Sequence, residues 1–220
     1  MMGLVCPNCG TKIEKPLRIK EERLLIVEGR DEEEFFSALL EKLKINEIQV
    51  LGIGGKSLLK DRLKALKIDS QWKKVSSLGI MRDADQNPEG AFQSVCSALK
   101  NAGLPVPKKV MEPTNRNIKP VICAMIIPSY SRPGALESLC LDAAKDEPAM
   151  TCVEEYFVCL KRQGVANVKS VNLHKARARV YLASKEEPDL SIGIAAKKGY
   201  WPLDSRVFDE VKRFIELIKR

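Results

Sequence analysis

Four short apolar runs, each followed by an amphipathic or polar stretch, constrain this 220-residue chain more than any other feature. Leu24 to Val27, Ile48 to Ile53, Leu78 to Met81 and Val121 to Ile127 read as strands buried on both faces. After the first run, Phe35, Phe36, Leu39, Leu40 and Leu43 recur at helical spacing, and Asp31 with Glu34 suits a capping box. Gly54-Gly55 predicts a turn after the second run, leading into an amphipathic helix from Leu58 to Leu66. Asn87 and Pro88 mark a helix start after the third, with Ala91, Val95, Ala98 and Leu99 inward and Gly103 at the end. Residues 104–120 hold four prolines and predict a loop. Helices are expected at about 134–145, 151–162 and 174–184. A last one from Ser205 buries Val207, Phe208, Val211, Phe214, Ile215 and Ile218. This alternation predicts an α/β domain, a mostly parallel sheet with helices on both faces.

Residues 1–20 show no amphipathic repeat and are expected to form an appendage, leaving 21–220 as the domain. The longest apolar run has seven residues, where a membrane span needs about 20. The N-terminus lacks the basic start and apolar core of a signal peptide. A soluble, cytoplasmic protein with no membrane partner is therefore expected. Seven cysteines in such a chain do not read as a disulfide framework. Cys96, Cys123, Cys140, Cys152 and Cys159 lie in apolar segments and are expected to be reduced core residues. The net charge of +8 is uneven. Leu160 to Arg220 holds 14 Lys/Arg against 7 Asp/Glu, a balance that suits a polyanion such as DNA or RNA.

Acidic residues stand at two of the strand ends. The first run continues into Glu28-Gly29-Arg30-Asp31, the third into Arg82-Asp83-Ala84-Asp85. In parallel α/β sheets, function gathers at the carboxyl ends of the strands, and adjacent strands are about 5 Å apart. Carboxylates converging there repel unless a cation lies between them, and oxygen ligands select a hard ion such as Mg²⁺ or Mn²⁺. Asp31 and Asp85 also suit helix capping. Capping does not account for Glu28 or Asp83.

Other motifs carry weaker chemistry. Gly52-Ile53-Gly54-Gly55-Lys56-Ser57 fits neither a dinucleotide fingerprint nor a P-loop. It reads as a tight turn with Lys56 in reach of a phosphate. His174 is the only histidine, no G-x-S-x-G elbow occurs, and His174 stands in a basic stretch with Lys175, Arg177 and Arg179. Lys175, Lys197 and Lys198 are candidates for neutralising phosphate charge. Cys6-Pro7-Asn8-Cys9-Gly10 resembles a zinc-knuckle turn, but structural Zn²⁺ needs four ligands. A homo-oligomer donating one pair per subunit, a more distant Cys, or a vestigial knuckle all remain open.

The succession LLIVEGRDE, VLGIGGKS and LGIMRDADQNPEGA resembles the Toprim domain of topoisomerases, DnaG-type primases and several nucleases. Pro133-Gly134-Ala135-Leu136-Glu137 further resembles the Toprim domains related to the overcoming-lysogenisation-defect nucleases, which include small stand-alone proteins. The resemblance spans about residues 22–218. It implies that Glu28 acts as general acid or base, that Asp83 and Asp85 hold Mg²⁺, and that Glu137 helps hold a second ion. The implied function is a metal-dependent nuclease acting on phosphodiesters. The alternative is a non-catalytic Toprim-fold module that binds nucleic acid or nucleotides.

Overall fold

The structure, a computed structural model, describes residues 17–165, 169 and 172–220. Cys6 and Cys9 lie outside the described residues. The four apolar runs form strands β1 (Arg23–Val27), β2 (Ile48–Gly52), β3 (Ser77–Asp83) and β4 (Val121–Ile127). All pair in parallel, in the order β2-β1-β3-β4. Strand periodicity sends alternate side chains to opposite faces. Leu25, Val27, Cys123, Met125 and Ile127 enter one core, while Leu24, Ile26, Ile122, Ala124 and Ile126 enter another.

Helices close both faces, as expected. Helix α1 (Arg30–Lys42) covers the first face, and α2 (Leu59–Ile68) with α3 (Pro88–Asn101) covers the second. Helices α4 (Leu136–Ala143), α5 (Pro148–Arg162), α6 (Leu173–Leu182), α7 (Ile192–Lys197) and α8 (Asp209–Lys219) complete the first. Asn87 caps α3 by accepting from Gly90 N–H at 2.9 Å, with Pro88 at the first helical position. No helix among the described residues is long and apolar enough to cross a membrane.

Three local expectations are corrected. Asp31 does not cap α1: Gly29 holds that position without a side-chain bond, and Asp31 Oδ1 instead accepts from Gly193 N–H at 3.0 Å. Cys152 and Cys159 are exposed, because α5 buries only Met150 and Val153. Helix α7 was not expected. It is short, and Ser191 caps it while Gly193 lies directly against the α1 backbone at Asp31. Within the expected appendage, residues 18–20 are stitched to the sheet edge. Gln49 Nε2 donates to Arg18 O at 2.8 Å, and Gln49 Oε1 accepts from Lys20 N–H at 2.7 Å.

Helix α8 rests on the middle of the sheet, its C-terminal end at the start of β1 and β3. Arg23 Nε donates to Lys219 O at 3.1 Å and Ser77 Oγ to Ile218 O at 2.6 Å. That close seat depends on Gly79, where an added Cβ would collide with Ile218 Cδ1 and crowd Phe214. Gly79→Ala should lower stability by about 1–3 kcal/mol, the usual result of overpacking. Urea unfolding followed by far-UV circular dichroism, compared with wild type, checks it.

Candidate functional site

The chain runs from β1 outward to β2, then crosses back past β1 to β3. The order therefore reverses between β1 and β3, with α1 leaving to one face and α2 returning on the other. Such a switch point opens a crevice at the carboxyl ends of the two strands. Glu28 follows β1 there, and Asp83 is the last residue of β3.

Asp83 belongs to the strand, where the sequence pattern had ended it at Met81. It pairs with Ile127 and is 9% exposed. Its Oδ1 accepts from Leu136 N–H at 3.1 Å, the first residue of α4. Burial pushes its carboxyl well above the ordinary range, and the negative charges of Glu28, Glu32, Glu137 and Asp85 push it further. Glu28 Oε1 accepts from Arg82 Nε at 3.0 Å and from Asp83 N–H at 3.3 Å. Arg82 is held in turn by Ser94 Oγ, 2.8 Å from its Nη1.

Asp85 lies two residues beyond. Its backbone adopts φ 50°, a left-handed conformation Asp tolerates better than most residues, and its N–H and C=O both pair with Gly134 at 2.9 and 2.8 Å. Those two bonds, with the Leu136–Asp83 bond, bring the start of α4 and hence Glu137 to the strand ends. Lys56 Nζ lies 2.5 Å from Asp85 Oδ2.

Glu32 is the residue sequence reasoning missed. Four residues after Glu28, in the first turn of α1, it carries a carboxyl raised by burial and by Glu28, Asp31 and Glu137. The Glu28-x-x-x-Glu32 spacing was the available signal. His174, whose basic stretch suggests a surface or phosphate-facing role, is half-buried. Its Nε2 is buried without a partner, and Glu137 and Asp85 are among the charges acting on it. Burial lowers its pKa.

A pocket of about 480 Å³ adjoins this centre, lined by Asp31, Glu137, Lys175, Arg179, Asp189 and Ser191 among others. Lys175 and Arg179, one helical turn apart on α6, thus share a pocket with Asp31 and Glu137. The other basic candidates meet other acids. Lys198 pairs with Glu187 at 2.7 Å, Arg177 with Glu154 at 2.7 Å, and Lys197 acts on Glu33. Lys212, Arg213, Lys219 and Arg220 line a separate groove of about 660 Å³ with Leu43, Ile45 and Met111. That groove is at the other end of the sheet, so the basic C-terminal third is divided between two surfaces.

The donor set fits a hard divalent cation. Glu28, Glu32, Asp85 and Glu137 lie within electrostatic reach of Asp83, and among the described residues Arg82 pairs with Glu28 and Lys56 with Asp85. Among the described residues, no three metal-binding side chains are already gathered closely enough to close round an ion. Each oxygen that is engaged would have to be shared or released.

With this geometry in view, the chain defines a class: an all-parallel α/β domain with acidic residues at the switch point of its sheet. It belongs to the family described as a protein of unknown function, DUF3226, which matches residues 22–219. No curated protein matches it significantly. Three solved structures of the C-terminal region of the OLD protein of Xanthomonas campestris pv. campestris are similar to it. The one phased with mercury is 13% identical with a TM-score of 0.48, covering 90% of this chain and 97% of that one. The one phased with iodine is 13% identical with a TM-score of 0.47, covering 90% and 96%. The one phased with platinum is 15% identical with a TM-score of 0.41, covering 87% and 96%.

A carboxyl held above its ordinary value contributes to stability while protonated, below about pH 4. That contribution is lost as pH rises through the raised value. In EDTA, the stability that Asp83 contributes should therefore fall as pH climbs above about 4. Asp83→Asn keeps an acceptor for Leu136 N–H and removes the charge. Its Tm at pH 8 in EDTA should exceed wild type by a few degrees, about what 1 kcal/mol yields in a domain this size. Thermal melts at pH 4.5 and 8 check the sign, and a lower Tm at pH 8 overturns it.

Proposed function

We propose that the crevice between β1 and β3 is a divalent-metal site at which this protein cleaves nucleic-acid phosphodiesters. The single observation that carries the reading is Asp83: a nearly buried carboxylate ringed by four others needs a concentrated positive charge. Asp83 and Asp85 would hold Mg²⁺ or Mn²⁺, with Glu137 and Glu32 at hand for a second ion. A bound divalent cation supplies Lewis acidity and an activated water in such chemistry.

The chain's own residues do the rest. Arg82 and Asp83 N–H fix Glu28 through Oε1, which leaves Oε2 to take or give a proton at the reacting oxygen. Lys175 and Arg179 line the adjoining pocket, where they offer donors to a phosphate. Asp31, though occupied by Gly193 N–H, shares that pocket with Glu137 and shapes the crevice wall.

The Arg82–Glu28 pair favours one other reading, a non-catalytic nucleic-acid-binding module, because an ion-paired carboxylate also serves a purely structural purpose. Mutation separates the two. Glu28→Gln should retain Mn²⁺ binding by calorimetry and cut cleavage of labelled DNA or RNA about 10²–10⁴-fold, the usual scale of general acid–base catalysis. Asp83→Asn with Asp85→Asn should abolish both. Thermal melts confirm that each variant is folded. Full cleavage by Glu28→Gln removes its proton-transfer role. Binding of nucleic acid by wild type without cleavage, across metals and substrates, selects the binding module.

Binding should also weaken with salt, because neutralised phosphates release counterions. With Lys175 and Arg179 as the contacts, replacing both by Ala should flatten the dependence of log K on log salt by about two. An unchanged slope in fluorescence anisotropy titrations places the phosphates elsewhere.

A further inference from the structure

We propose that Lys56 is the resident counter-ion of Asp85, displaced when a divalent cation enters and thereby freed for a phosphate of the substrate. The inference rests on the reading that Asp83 and Asp85 hold the cation, and adds an exchange step to it.

The partners of the three central carboxylates differ in kind. Glu28 and Asp83 are engaged by groups that cannot leave without unfolding the crevice: the nearly buried Arg82 side chain and two backbone N–H groups. Asp85 is engaged by an ammonium on a long flexible stem, and the two side chains are 46% and 54% exposed. Of the three, Asp85 is the carboxylate whose partner can swing away at little structural cost.

The backbone beneath Lys56 stays in place during such a swing. Gly55 N–H donates to Glu28 O at 2.7 Å, and Ile53 N–H to Val27 O at 3.1 Å. Gly54 and Gly55 take φ 83° and 128°, conformations open to glycine, so the turn folds back over the end of β1. The Lys56 stem therefore starts from a point fixed beside Glu28, at the mouth of the crevice. Lysine suits the task better than arginine would, being a compact charge without a planar fork to lock onto one carboxylate.

One ligand is held by Lys56 until a stronger cation competes for it. Once displaced, the ammonium becomes an unpaired charge beside the crevice, where a phosphodiester would lie.

The first test is Mn²⁺ binding by calorimetry to wild type, Lys56→Met and Asp83→Asn. Removing the competitor should tighten Mn²⁺ binding about fivefold in Lys56→Met, the scale of a half-exposed ion pair. Equal or weaker binding by Lys56→Met overturns the exchange. The second test reads Lys56 directly in wild type, by its acetylation rate followed with mass spectrometry. The rate should rise when Mn²⁺ is added to EDTA-treated protein, and an unchanged rate also overturns the exchange. If wild type takes up no Mn²⁺, the metal-site reading itself fails, which is a different result from a Lys56→Met variant that binds like wild type.

Discussion

Burying Asp83 is the constraint around which the rest of the site is arranged. A carboxylate at the end of a central strand loses water on nearly every side, and four further acids crowd towards it. Proteins seldom retain such a group unless it is paired, protonated or coordinated. The chain supplies two local answers, Arg82 on Glu28 and Lys56 on Asp85, and neither touches Asp83 itself. Asp83 is met instead by one backbone N–H, from Leu136. The charge balance of the crevice is left open for something brought from solution.

Much of this was legible in the sequence, because the signals were strong and local. Apolar runs of four to seven residues between amphipathic segments leave little room for any fold but a covered parallel sheet. The acids directly after those runs then fall at strand ends by geometry alone. Glu28, Asp85 and Glu137 lie within electrostatic reach of Asp83, each adding to the upward push on its carboxyl.

What escaped depended on tertiary contacts. Glu32 looked like one of several acids in a helix's first turn, and its approach to Glu28 and Glu137 appears only once α4 is docked. Asp31 had the spacing of a cap, yet packing of α7 onto α1 gave its carboxyl a different donor. Helix α7 itself has six residues, too few to show a helical period. Cys152 and Cys159 sit among apolar neighbours on a helix that turns most of its surface outward. The position of β3's end was missed because a charged residue in a strand reads as loop, while pairing with Ile127 carries the strand to Asp83.

The two bonds between Asp85 and Gly134 bear on how this protein can change over generations. They join two loops main chain to main chain and tie the start of α4, hence Glu137, to the strand ends, while within residues 129–133 the Arg132 side chain adds a pairing with Asp142 of α4. Apart from Arg132, that mostly exposed loop could exchange its residues while the acid behind it kept its place. Relatives can therefore be expected to differ there first. The crevice would keep its charges, and the rim would carry the diversity.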